Sequence, residues 1–196
     1  MPKRMILSVV PAFLFCLLCT TMAFAQETPK YEIGANFALI RLHDLDTTDV
    51  GVGARAGYNL NKWIALEAEV NSFPQGDFFE GGRKVQGVFG VKAGFRSEKF
   101  GLFAKARPGF MRFSDSRITN PCPPGAVCSL AILLGKQTNL AMDVGGVMEF
   151  YPSRRLTTRI DVGDTIIRFG DFSLPTGNPY TSHNLQVNVG FGFRFK

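Results

Sequence analysis

The chain has 196 residues, of which 45% are hydrophobic, 12% aromatic and 19% charged. That length suits one domain, and the high apolar and low charged content excludes a disordered chain. The net charge of +6 comes from scattered basic residues, not a basic cluster, which argues against a nucleic-acid partner. The 21 Gly and 19 Phe beside a single Trp lean towards β-structure.

Residues 1–25 read as a secretory signal peptide. Lys3 and Arg4 precede an apolar run from Met5 to Leu18, and Ala23-Phe24-Ala25 supplies the small residues of a cleavage site. The run is short and interrupted by Ser8 and Pro11, unlike a spanning helix. Neither Cys16 nor Cys19 has the Leu and the Gly or Ala before it that lipidation requires. Cleavage leaves residues 26–196 as one domain carrying a net +4. Its two cysteines, Cys122 and Cys128, are expected to form a disulfide in an oxidising compartment.

The mature part holds segments of roughly ten residues that alternate apolar and polar or small, the period of a strand. The first runs Tyr31, Ile33, Ala35, Phe37, Leu39 against Glu32, Gly34, Asn36, Ala38. The second sets Val50, Val52, Ala54, Ala56, Tyr58 and Leu60 against Gly51, Gly53, Arg55, Gly57 and Asn59. Segments at 63–72, 84–96, 100–113, 138–151 and 156–168 follow. The last places Leu185, Val187, Val189, Phe191, Phe193 and Phe195 against Gln186, Asn188, Gly190, Gly192 and Arg194. Tight turns at 61–62, 97–99 and 152–155 alternate with longer connections at 43–49, 73–83, 114–137 and 169–183. Short turns at one rim and long loops at the other predict an all-β, eight-stranded antiparallel up-and-down transmembrane barrel with its short turns in the periplasm. Tyr31, Tyr58, Trp63, Phe95, Phe100, Tyr151 and Phe195 fall at the short-turn ends, as an interfacial aromatic belt requires, with Leu156 the exception. Trp63 has the wrong parity for lipid and is expected to rotate outward from the turn edge.

A soluble barrel with its apolar face inward is the rival. Glycine decides against it, because residues such as Gly51, Gly53, Gly90, Gly145 and Gly192 share the polar face. The interior of an eight-stranded barrel is just wide enough for side chains to fill. Small residues interleaved with long charged ones suit it, and the charge-free apolar face suits lipid. The polar face carries Arg55, Lys92, Arg96, Lys105, Arg107, Arg159 and Arg194 with Glu32, Glu67, Glu69, Asp143, Glu149 and Asp161. Near balance predicts an ion-paired interior plug, since an unpaired buried ion costs several kcal/mol. A narrow ion path is the functional alternative.

The signal, the eight alternating segments and the closing run Asn188-Val189-Gly190-Phe191-Gly192-Phe193-Arg194-Phe195 resemble the small outer-membrane β-barrel proteins of the OmpA/OmpX type, across the whole mature chain. The resemblance implies a Gram-negative outer-membrane location. It also implies recognition by the barrel assembly machinery through Asn188, Gly190, Phe193 and Phe195, although Lys196 follows the Phe that usually ends that signal. Some barrels of this type modify lipid A acyl chains with rim His, Ser and acidic residues. His43 and Asp44, opposite Ser182 and His183, are the candidates for such chemistry here, though the motifs of those enzymes are absent. No zinc-site spacing or phosphate-cradling glycine loop occurs, so no cofactor or metal is expected. The expected role is non-enzymatic: structural, adhesive or receptor-like, exercised by a monomer through its loops. Its contacts are outer-membrane lipid and a surface partner held by the 114–137 loop. The apolar run in Ser129–Gly135 reads either as a contact patch or as an extension of strand six.

Overall fold

The computed structural model describes residues 29–43, 46–74, 82–118, 133–170 and 179–196, and within them every strand hydrogen-bonds to its sequence neighbours. The strands are β1 (Tyr31–Leu42), β2 (Thr47–Asn59), β3 (Ile64–Phe73), β4 (Lys84–Arg96), β5 (Phe100–Ile118), β6 (Leu133–Phe150), β7 (Leu156–Phe169) and β8 (Tyr180–Phe195). All pairings are antiparallel. β1 also pairs with β8, from Tyr31 opposite Phe195 to Arg41 opposite Leu185, which closes the barrel and leaves no free sheet edge.

Polar side chains fold the short turns locally. Asn61 Oδ1 accepts from the backbone N–H of Trp63 at 2.7 Å and of Ile64 at 2.9 Å. Ser153 Oγ does the same for Arg155 and Leu156 at 3.3 and 3.1 Å. On the other rim the β1–β2 connection shrinks to residues 43–46, with Asp46 at a φ of 47°.

The expected boundaries of all four connections are corrected there, with Phe73 closing β3 and Phe169 closing β7. Thr47–Asp49 belong to β2 and Tyr180–His183 to β8. The 114–137 stretch is largely strand at its flanks, where Ser116, Arg117 and Ile118 pair with Gly135, Leu134 and Leu133 beyond a one-residue bulge. An extra residue in one strand keeps the ladder going at the cost of a local twist. At 19 and 18 residues, β5 and β6 are therefore the longest strands, far longer than a membrane crossing needs. Residues 1–28, Asp44, Cys122, Cys128 and the rest of 119–132 lie outside the described residues, and with them the signal peptide and the disulfide.

The outer wall is apolar and open to its surroundings; Phe37, Leu140 and Phe191 are 66%, 71% and 62% exposed. The inner wall changes character with height. In β1, inward Glu32, Gly34 and Asn36 give way to Ala38, Ile40 and Leu42, while outward Leu39 gives way to Arg41. Phe73 likewise points in beside outward Ser72, Phe113 beside Arg112, and Ile167 beside Arg168. These side chains gather with Met111 and Ala141 into an apolar cap across the loop end of the lumen. The polar face read from the alternation thus fills the lumen only below this cap. Where the wall leaves lipid it meets water, and the ordinary polarity of a soluble barrel returns.

Candidate functional site

Below the cap, alternation delivers charged side chains from opposite walls into one space, where they are almost wholly buried against one another. Arg159 binds Glu67 through two hydrogen bonds of 2.5 and 2.9 Å, and Asp161 at 2.8 Å. Lys92 bridges Glu67, at 2.7 Å, and Glu149. Arg107 donates to Glu69 at 2.9 Å and grips Asp143, which Lys105 also reaches at 2.8 Å while holding Asp161. Arg55 binds Glu32 at 2.8 Å on one side of the lumen. The crevice beside Asn36, Arg55, Glu69 and Asn188 has no room for a water molecule. Arg107, Arg159, Lys92, Lys105, Glu67, Glu149, Asp143 and Asp161 each touch two or more ions of opposite sign, and that attraction offsets the several kcal/mol that burial costs each of them.

The short-turn mouth is sealed by the remaining charges. Arg96 donates to Tyr151 Oη at 3.0 Å and to Asn59 Oδ1 at 2.9 Å, and Tyr151 donates to Glu149 at 2.7 Å. The Arg194 guanidinium lies 4.0 Å from the Tyr151 ring centre. Tyr151 does not belong to the outer aromatic belt, as its position in the sequence suggested; only 7% of it is exposed. Burial, and then the Glu149 carboxylate, push its phenol above the usual tyrosine range. Trp63 does stand outward, 46% exposed, its ring 6.0 Å from that of Phe95.

All thirteen charged residues read from the alternation point into the lumen. Sequence reasoning missed the layer above them. Asn36, Asn71, Gln86, Gln186 and Asn188 form a chain of side-chain hydrogen bonds of 2.8–3.1 Å, which Asn188 ends on Glu69 at 2.8 Å. Higher still, Lys84 and Asp49 pair at 2.6 Å beside the apolar cap. Asp49 shares the parity of Gly51 and Arg55, so alternation would have found it had residues 43–49 not been read as loop.

Of the proposed assembly residues, Asn188 and Gly190 face inward, and Phe193 and Phe195 face outward at 43% and 40% exposure. The rim candidates for acyl chemistry are separated by the wall itself. His183 stands outside, its Nδ1 2.6 Å from Asp164 Oδ2, whereas Ser182 is buried inside and donates to Asn184 Oδ1 at 3.3 Å. His43 contributes its backbone N–H to the same Asn184 oxygen at 3.1 Å. Among the described residues no three His, Cys, Asp or Glu side chains gather as a metal site would need.

A charge-filled, apolar-walled antiparallel barrel with short turns at one rim defines an outer-membrane β-barrel. The family model of the outer membrane protein β-barrel domain matches residues 12–193, and the chain belongs to that family. Its fold is similar to that of the N-terminal β-barrel domain of Pseudomonas aeruginosa OprF, at 13% identity and a TM-score of 0.51, covering 85% of this chain and 99% of that one. Neisserial surface protein A (NspA) is comparable, at 13% identity and a TM-score of 0.52, covering 84% and 96%. A search of curated protein sequences finds no match. The protein is an integral protein of the outer membrane.

Proposed function

We propose that this protein is a non-enzymatic display scaffold, a plugged post that holds its loops above the outer membrane for adhesive, receptor or structural contact. The filled lumen carries this reading. An ionic layer, an amide layer and an apolar cap lie one above another, which favours neither a continuous ion path nor an internal binding chamber. The β5–β6 pair supports the same view, since its strands, at 19 and 18 residues, outrun any membrane crossing. Separation of Ser182 from His183 by the wall disfavours a serine–histidine acyl transferase at this rim.

The test has two arms. Planar-bilayer recordings of the reconstituted barrel should show no stable porin-sized openings; steady large openings would exclude the plugged post. Replacing 119–132 with an Asn-Gly turn should leave a folded barrel while cells carrying it lose retention on matrix- and glycan-coated surfaces. Unchanged retention would move the contact to another loop.

A further inference from the structure

The interior charges nearly balance, eight basic against seven acidic, so most of the positive excess of the chain lies elsewhere, and much of it lies at the short-turn rim. Among the described residues that rim exposes Lys30, Lys62, Lys99, Arg154, Arg155 and Lys196, with Glu98 the acidic side chain among them. Even with Glu98 offset against one of the six and Lys196 set aside, four positive charges remain at the rim.

The placement of these charges is regular. Lys30 precedes Tyr31, Lys62 precedes Trp63, Lys99 precedes Phe100, Arg155 precedes Leu156, and Lys196 follows Phe195. Each neighbour is an outward residue at a strand end, 40–49% exposed. The rings make a band around much of the wall: Tyr31 lies 5.3 Å from Tyr58 and 5.7 Å from Phe195, and Phe95 6.0 Å from Trp63 and 6.1 Å from Phe100. Lys62 Nζ sits 5.0 Å from the centre of the Trp63 ring. Aromatic rings of this kind settle at the headgroup level of a bilayer. A cation one residue further out is then at the depth of the lipid phosphates, around the full circumference.

We infer that the short-turn rim is a binding ring for anionic glycerophospholipids of the periplasmic leaflet, which it holds as a first shell in preference to zwitterionic ones. A cell-wall polymer would instead approach from below and would not need four of the six cations placed beside a lipid-level aromatic residue. Lysine and arginine side chains near an anionic surface each favour association by about five-fold at ordinary ionic strength, and salt weakens the effect.

The chain contains one tryptophan, and it stands in this ring. Its fluorescence therefore reports on the lipid there and not on lipid at the loop end. The barrel is reconstituted in mixed phosphatidylglycerol and phosphatidylcholine bilayers in which one lipid or the other carries bromine near the carbonyl end of its chains. Brominated phosphatidylglycerol should quench Trp63 as though enriched about three- to five-fold over its bulk fraction, and brominated phosphatidylcholine correspondingly less. That ratio should fall towards unity in 1 M salt and in Lys62→Gln/Lys99→Gln. A ratio between two lipids on one protein cancels the change in Trp63 emission that loss of Lys62 causes. Arg112→Gln/Arg168→Gln, at the opposite rim, should leave the ratio unchanged. Equal quenching in the native barrel would overturn the inference, as would a preference that survives both salt and Lys62→Gln/Lys99→Gln. Pelleting of the detergent-solubilised barrel with cell-wall sacculi, lost in that double variant while the quenching ratio is near unity, would assign the ring to the wall polymer and overturn it too. The salt arm needs no variant, so a folding defect in one leaves the inference open to refutation.

Discussion

Arg107 is fully buried among four carboxylates, with Glu69, Asp143, Glu67 and Asp161 all within 3.5 Å. Removing one partner of such a set strands the others, which is costlier than removing a matched pair. Arg107→Met should therefore destabilise the barrel by about 3–5 kcal/mol, read from urea unfolding in bilayers. The Lys84–Asp49 pair is the contrasting case, because its surroundings are apolar and its two ions are chiefly each other's partners. Lys84→Met alone should be destabilising, whereas Lys84→Met with Asp49→Leu should recover most of the loss or exceed the native stability. A double variant as weak as the single would mean that the pair orders the cap and is more than a tolerated cost.

Strands are where the sequence was most legible, because a period of two needs no tertiary context to be seen. The alternation from Val50 to Leu60 and from Leu185 to Phe195 runs on one lattice inside and one outside, as the structure has it. Legibility failed at the loop ends, for a physical reason. There the outer face becomes polar too: Thr48, Thr181 and His183 face out while Asp49 and Ser182 face in, so neither segment shows the apolar alternation of a lipid-facing strand. Tyr151 was misplaced because an aromatic residue at a strand end suits the belt and the mouth equally, and only the partners Arg96 and Glu149 decide.

The inward glycines have a cause the sequence did not reveal. A Cβ on Gly192 would meet the Arg55 guanidinium at 2.9 Å, which is the crowding foreseen, but on Gly145 it would meet the carbonyl oxygen of Val162 at 2.2 Å. The tight coil of a narrow barrel thus brings backbone where a side chain would go. Gly146, one residue on and facing out, has nothing nearer than 4.0 Å. Gly145→Ala should abolish the compact, heat-modifiable gel band or cost several kcal/mol. Gly146→Ala should be neutral, or stabilising by about 0.4–1 kcal/mol through the unfolded chain. Equal effects would refute the close-approach account. Between β5 and β6, Cys122 and Cys128 flank Pro123-Pro124-Gly125, and alkylation of denatured, unreduced mature protein should label neither. Two labelled thiols would remove the expected staple.

At the scale of the whole molecule, the reversal of wall polarity marks two levels on the barrel, and the distance between them is a property of its own. On β8 the outward apolar run extends from Phe195 up to Leu185, with His183 and Thr181 beyond. Ten residues at about 3.3 Å each, tilted by roughly 40°, span about 25 Å. A typical bilayer has a hydrocarbon thickness of about 30 Å. The barrel is thus cut to a thin membrane, and in a thicker one it must compress the lipid around it or draw Arg41, Arg112 and Arg168 towards the acyl chains. Folding yield across bilayers of increasing acyl length should peak near about 25 Å of hydrocarbon and fall on the thicker side. Mismatch alone would then disfavour insertion into the thicker inner membrane that the chain crosses on its way out.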